Sequence, residues 1–254
     1  MDSLMILDPF FYICAIPAIL LFGMAKGGFG GGISMLSVPL MALAVPPVQA
    51  AAILLPILVV MDLFALNSFR GQCSIKNLKI IIPGAAIGIL VGTFTFSYLS
   101  ADMIRIIIGT IAVVFTINYW FKRKITQGSK PDRLKGTIWG AIAGFTSFGV
   151  HAGGPPISIY LLPQKMDKIL LMGTFAWFFS VVNLLKLIPY TWLGLFDQTN
   201  MVTSLVLTPL APVGVALGYF LLGKVSVNTI YSFCYVFLFL AGVGLLFKGS
   251  VGIS

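Results

Sequence analysis

The chain has 254 residues, of which 59% are hydrophobic and 9% charged, whereas soluble domains average roughly 45–50% and about 25%. This composition excludes a soluble globular protein, and the apolar runs lack the strict alternation of a β-barrel. The net charge of +9 does not indicate nucleic-acid binding, because six of the sixteen basic residues lie in one connection, 122–135, without stacking aromatics or a known module.

The amino-terminal residues and the cysteines exclude two further classes. The first eight residues contain Asp2 and Asp8 but no basic residue, unlike the n-region of a cleavable signal peptide. The first apolar segment is therefore predicted to remain as a membrane span. The three cysteines are far apart in sequence, which indicates packing rather than a disulfide framework or a metal site. No cofactor is expected.

Ten apolar segments are predicted, five on each side of the basic connection. They span 9–25, 33–45, 48–67, 79–98 and 102–121, then 136–150, 155–164, 169–190, 199–222 and 226–247. We therefore predict an all-α polytopic membrane protein with 8–10 transmembrane segments. Its predicted parts are a first membrane repeat (1–121), a cytoplasmic basic linker (122–135) and a second membrane repeat (136–254).

The two halves align with each other. Residues 83–92 match residues 209–218 without a gap, and the Gly31-Gly32 pair corresponds to Gly153-Gly154. This common order of motifs favours a duplication over a chance match of glycine and proline. Because each half has an odd number of segments, the two repeats are predicted to be inserted in opposite directions.

The distribution of basic residues predicts the orientation in the membrane. Connections rich in Lys and Arg normally face the cytoplasm, so the 122–135 linker is placed inside. The N-terminus then falls outside, and Lys248 is the one clear exception. We expect a multi-pass membrane protein in contact with the lipid bilayer.

A glycine-rich break interrupts the apolar sequence once in each half, at 26–34 and 148–158. The segments that follow, 33–45 and 155–164, are shorter than the roughly twenty residues that a helix needs to cross a bilayer. They are either half-helices that begin inside the membrane or the second arms of re-entrant hairpins. Irregular backbone at this depth must be buried in protein or line a wet cavity.

Both breaks are predicted to bind an anion. A helix that starts after a glycine loop presents free N–H groups and the positive end of its dipole, and a nearby serine adds a hydroxyl. The alternative is that these glycines only allow close helix packing. The predicted substrate-binding residues at the breaks are Gly30, Gly31, Gly32, Ser34, Gly153, Gly154 and Ser158.

Charged and polar residues inside the apolar segments are further candidates. Lys26 either draws an anion toward the first break or extends to the membrane boundary. His151, the only histidine, is either a hydrogen-bonded core residue or the carrier of a coupling proton. Asp62 either binds a coupling cation or pairs with Lys26 or Arg70. Asn183 occupies the equivalent position of the second half, and Lys186, one helical turn further, is a weaker pathway candidate.

These motifs resemble those of the sulfite exporter TauE/SafE family. The resemblance rests on the glycine-rich break with residues 33–40, on residues 144–163 of the second half, and on Asn183 to Lys186. It implies a bacterial-type inner-membrane carrier of small sulfur oxyanions or organosulfonates, such as sulfite, sulfoacetate or thiosulfate. It does not imply a particular substrate.

The leading functional hypothesis is a secondary active transporter that moves a small anion by alternating access, with a coupling proton or sodium ion. The sequence contains no P-loop that would bind ATP. A passive anion channel is the first alternative. An intramembrane enzyme is disfavoured, because the chain has no Glu and a single His to supply acid–base groups or metal ligands. A receptor or scaffold needs no matched polar breaks.

Overall fold

A computed structural model describes residues 4–29, 33–121, 129–221 and 227–252. Within these ranges the regular structure is entirely helical. The helices are α1 (Pro9–Met24), α2 (Ser37–Met41), α3 (Pro47–Ser68), α4 (Ile75–Tyr98), α5 (Ala101–Trp120), α6 (Arg133–Val150), α7 (Gly154–Leu161), α8 (Lys168–Trp192), α9 (Gln198–Leu207), α10 (Leu210–Leu221) and α11 (Val227–Val251). Short 3₁₀ turns, Ile33–Leu36 and Leu162–Gln164, precede α2 and follow α7.

Most long helices begin at a polar residue whose side chain accepts a hydrogen bond from the first turn. Such a cap satisfies one of the N–H groups that lack a helical partner. The capping residues are Asp8 for α1, Ser74 for α4, Ser100 for α5, Asp132 for α6, Asp167 for α8 and Asp197 for α9. These caps explain why the helix starts lie close to the starts of the predicted segments.

The structure differs from the prediction in the segment 199–222. This segment is two helices, α9 and α10, which are bent by 42° relative to each other. The bend follows from Pro209 in the connecting turn, because proline has no N–H to donate and its ring disfavours a continuous helix.

Fewer helices qualify as membrane spans than the 8–10 predicted. In the described part of the chain six helices are long and apolar enough to cross a membrane, or seven if the bent pair counts as one span. Helices α2 and α7 are too short, with five and eight residues. Helix α6 begins with Arg133 and Lys135, which lower its hydropathy. The protein is nevertheless a multi-pass membrane protein.

The first glycine-rich break begins as a π-helical continuation of α1 at Ala25–Phe29. Within it Gly28 has a φ of 143°, a conformation that essentially requires glycine. In the second break α6 ends at His151, whose backbone is left-handed with a φ of 53°. Helix α7 then starts at Gly154. Residues 30–32, and with them Gly30, Gly31 and Gly32, lie outside the described residues.

Glycines allow three close helix pairs, α1 with α10, α4 with α6, and α5 with α11, and a fourth pair is formed by α3 and α8. A Cβ atom added to Gly23 of α1 would lie 2.7 Å from the Cα of Gly214 in α10. One added to Gly144 of α6 would overlap the backbone of Ala85 in α4. Glycine at these contacts lets helix backbones approach directly, as in other membrane proteins. Helix α3 packs in the centre, where α8 lies against it.

Candidate functional site

A cavity with several polar side chains in its wall lies between α3, α8 and the two breaks. Its volume is about 30 Å³, which is enough for one or two water molecules. Most of its wall is apolar, and the polar side chains in it come from positions that the sequence analysis predicted. The lining residues are Phe22, Ala25, Lys26, Ser34, Asp62, Ala65, His151, Met172, Phe175, Ala176 and Phe179.

The first polar cluster at this cavity joins three helical segments. Lys26, in the π-helical segment, donates to and forms an ion pair with Asp62 of α3. The other carboxylate oxygen of Asp62 accepts a hydrogen bond of 2.7 Å from the side-chain amide of Asn183 in α8. Of the two basic residues predicted as partners of Asp62, Lys26 is therefore the one that pairs with it in the structure. Both ends of the ion pair are buried, with side-chain exposures of 8% and 5%.

The second polar cluster surrounds Lys186 of α8, which is 0% exposed. Its Nζ lies 2.6 Å from Nδ1 of His151, and it donates to the backbone oxygen and the hydroxyl of Ser147, each at 3.1 Å. All three N–H bonds of the ammonium group thus have acceptors. None of these acceptors is charged, and in the described part of the chain no carboxylate forms an ion pair with Lys186.

The contacts of His151 define its protonation. Its Nε2 lies 2.9 Å from the carbonyl oxygen of Ala51, which can only accept a hydrogen bond, so Nε2 carries a proton. Its Nδ1 faces the amine of Lys186 and accepts from it. His151 is therefore a neutral imidazole with its proton on Nε2 when Lys186 is an ammonium ion.

A second cavity, of about 240 Å³, lies beyond His151. Its wall includes Ala51, whose carbonyl accepts from His151, and Tyr190, whose ring stacks on the His151 ring with a centroid distance of 6.4 Å. The hydroxyl of Tyr190 donates to the carbonyl of Phe148 at 2.6 Å. His151, which lines the first cavity, and Tyr190, which lines the second, therefore form a layer of two adjacent rings between the cavities, and each ring is held by a hydrogen bond to a backbone carbonyl.

The two cavities extend toward opposite ends of the helices. The first contains Ala65, near the end of α3, and Met172, near the start of α8. The second contains Val48, at the start of α3, and Leu193, directly after α8. Since α3 and α8 pack along each other, His151, which lines the first cavity, and Tyr190, which lines the second, lie between the two ends of this helix pair.

The other predicted binding residues of the second break line neither cavity. Gly153 and Gly154 are buried at the start of α7. An added Cβ at Gly153 would lie 2.9 Å from the carbonyl oxygen of Ala143, so this glycine allows the backbone of the second break to pack closely against α6. The hydroxyl of Ser158 donates to the carbonyl of Gly154 at 2.7 Å, within α7. None of these three residues lines the cavity.

Two functional candidates were missed by the sequence analysis. Ser147 lies four residues before His151, and Tyr190 lies four residues after Lys186, so each is one helical turn from a residue that was predicted. That spacing was the available signal. Which acceptors they contact depends on the crossing of α6, α8 and α3, which the sequence does not encode locally.

The arrangement suits an anion better than a metal ion. Among the described residues no group of three His, Cys, Asp or Glu side chains is placed to hold a metal. The polar clusters contain two lysines and one carboxylate, so they carry a positive charge when both lysines are protonated. A small anion in the cavity would compensate that charge.

The sequence model of the family described as "Sulfite exporter TauE/SafE" matches residues 15–245, nearly the whole chain. No curated protein and no solved structure matches the chain significantly.

Proposed function

The chain belongs to the sulfite exporter TauE/SafE family, and from this premise we propose that it is a secondary active transporter of a small anion. The substrate class that we propose is sulfite or an organosulfonate, such as sulfoacetate, or a related sulfur oxyanion such as thiosulfate. The observation that carries this proposal is the cavity lined by Lys26, Ser34 and His151 inside the membrane-spanning helices. Ionisable residues at such a depth are costly and are kept for function.

The chemistry of the cavity supports an oxyanion. Lys26 offers ammonium N–H groups and Ser34 a hydroxyl group. The carboxylate of the lining, Asp62, is neutralised by Lys26 and accepts a hydrogen bond from Asn183, so it does not repel an anion as a free carboxylate would. The phenylalanines of the wall would exclude water and strengthen the electrostatic attraction. We propose that Gly30, Gly31 and Gly32, with Gly153 and Gly154 before the prolines of α7, add backbone N–H groups to the site.

Alternating access is supported by the two cavities on either side of His151. We propose that the walls of the first cavity separate when the substrate enters. The hydrogen bonds of His151 and Tyr190 would break on one side and form again after the substrate has passed. A passive channel, the alternative, needs a continuous path, and the bonded layer disfavours it.

We also propose that the protein consists of two inverted repeats, residues 1–121 and 136–254, joined by the linker 122–135. The helix pairs support this division. If α1 corresponds to α6 and α4 to α10, the contact between α1 and α10 is the counterpart of that between α6 and α4. On the same correspondence α3 pairs with its counterpart α8, and α5 with α11, as expected around a pseudo-two-fold axis.

For the location we propose the cell inner membrane, with the basic linker in the cytoplasm and the N-terminus outside. The first cavity then faces the cytoplasm and the second faces outward. An intramembrane enzyme stays the least favoured function, because Ser147 and Lys186, which could act as a nucleophile and its base, are buried and line neither cavity.

Reconstituted protein provides the test. Proteoliposomes are loaded with radiolabelled sulfite, and efflux is measured with and without imposed proton and sodium gradients. The proposal is supported if the flux exceeds that of liposomes without protein and depends on one of the two gradients. Flux that no gradient can drive uphill would indicate a channel. An active preparation that moves none of sulfite, sulfoacetate or thiosulfate would contradict the substrate class.

A further inference from the structure

The most unusual group outside the ion pair is the amine of Lys186. It is 0% exposed and has no carboxylate partner among the described residues. An isolated ammonium ion is expensive to bury, and such a group persists when it is paired, fully hydrogen-bonded or able to lose its proton. We propose that Lys186 is the site that takes up one proton together with the transported anion. This inference rests on the proposed function.

The hydrogen-bond partners of Lys186 suit both protonation states. As an ammonium ion it donates three hydrogen bonds, to His151 Nδ1, to the Ser147 carbonyl and to the Ser147 hydroxyl. As a neutral amine it donates two and has one lone pair. The Ser147 hydroxyl is both a donor and an acceptor, so it can rotate and donate to that lone pair. The proton can therefore be gained or lost without leaving a buried polar atom unpaired.

The charge balance links the proton to the anion. Lys26 and Asp62 neutralise each other, so protonated Lys186 leaves one uncompensated positive charge. A monovalent anion in the cavity cancels that charge, and the empty cavity is neutral when Lys186 has released its proton. The two binding events therefore favour each other, and by linkage the effect is reciprocal.

His151 connects the two events in space. Its ring lines the cavity, and its Nδ1 contacts Lys186. One side chain thus separates the proposed proton site from the anion. The other titratable groups that face this region are Lys26 from the π-helical segment, Asp62 from α3 and Tyr190 from α8. Lys26 and Asp62 form an ion pair with each other, whereas no carboxylate pairs with Lys186 among the described residues, and this contrast is why the proposal places the change of charge on Lys186.

The test is calorimetric titration of methanesulfonate into the full-length protein in lipid nanodiscs. Methanesulfonate keeps its single charge at every pH used, so any proton exchanged belongs to the protein. The titration is repeated in buffers with different ionisation enthalpies, and the dependence of the heat on the buffer gives the number of protons taken up per anion. The variants are Lys186→Arg, which stays charged, and Lys186→Met, with Lys168→Met, an exposed position at the start of the same helix, as control.

We expect the unmodified protein and Lys168→Met to take up protons on binding, with the number rising toward one per anion as the pH is raised. Lys186→Arg and Lys186→Met should bind without this uptake, the second more weakly. Binding of methanesulfonate by the unmodified protein without proton uptake at any pH would overturn the inference but not the proposed function. Uptake that persists in Lys186→Met would place the proton elsewhere and also overturn it. Absence of binding by methanesulfonate and sulfite alike would contradict both.

Discussion

The ion pair between Lys26 and Asp62 leads to the most quantitative prediction. Both side chains are buried, and Asn183 holds the second carboxylate oxygen. Asp62→Asn removes the negative charge but keeps the shape, and it leaves Lys26 as an unpaired buried cation. Breaking one end of a buried pair costs about 3–5 kcal/mol, whereas replacing both ends by neutral groups of similar size is often close to neutral. Adding Lys26→Met to Asp62→Asn should therefore recover most of the lost stability.

The assay is reversible unfolding by dodecyl sulfate in mixed micelles, followed by tryptophan fluorescence. The four proteins of the cycle are the unmodified chain, Lys26→Met, Asp62→Asn and the double variant. Asp102→Asn is the control, since Asp102 pairs with Arg105 but is 43% exposed, and such a pair contributes about 0–1 kcal/mol. All three variants of the cycle should lose transport. The double variant should therefore recover most of its stability and still be inactive.

The reasoning would be refuted if the two single changes added up in the double variant. Additivity would mean that Lys26 and Asp62 do not interact in the folded protein. A double variant that is as unstable as Asp62→Asn alone would point instead to the lost contact with Asn183.

Three further predictions follow from the packing and from the breaks. Gly23→Ala should destabilise the protein by about 1–3 kcal/mol, since its Cβ would lie 2.7 Å from α10, whereas Gly244→Ala, whose nearest neighbour is at 4.0 Å, should be neutral in the same unfolding assay. Gly31→Leu should abolish sulfite flux while membrane insertion and folding persist. Gly153→Leu should abolish flux too, but it should also destabilise the protein, because its Cβ would lie 2.9 Å from the carbonyl oxygen of Ala143; normal flux in both variants would mean that these glycines serve packing alone. His151→Ala should change the pH dependence of flux, because it removes the acceptor of Lys186, and an unchanged profile would separate His151 from proton coupling.

The helices were largely predictable because residues close to each helix end determine where the helix begins. Runs of apolar residues give the spans, and capping residues such as Ser74 and Asp167 give the starts. The bend after Leu207 was missed, although Pro209 was visible, because proline inside a membrane helix is often accommodated without one. Helices α4 and α8 contain such prolines, Pro83 and Pro189, within a continuous helix.

The candidate site was predictable in its residue types but not in its connections. Lys26, Asp62, His151 and Lys186 stood out because ionisable residues are costly in a membrane. The sequence left the partner of Asp62 open, because Arg70 is close to it along the chain while Lys26 lies in the first break, and local sequence does not tell which segment packs against Asp62. In the folded protein the first break packs against α3, and this contact makes Lys26 the partner of Asp62. The acceptors of Lys186 depend likewise on the crossing of α6 and α8, which only the folded chain defines.

The central claim is that the anion binds in the cavity between Lys26 and His151. The most direct measurement is an anomalous difference map at the selenium edge from crystals of the protein grown with selenite, a close analogue of sulfite. The account predicts a selenium peak in this cavity, in contact with Lys26 and Ser34, that disappears in Lys26→Met. A selenium site elsewhere along the helices, with this cavity empty in protein that transports selenite, would contradict it.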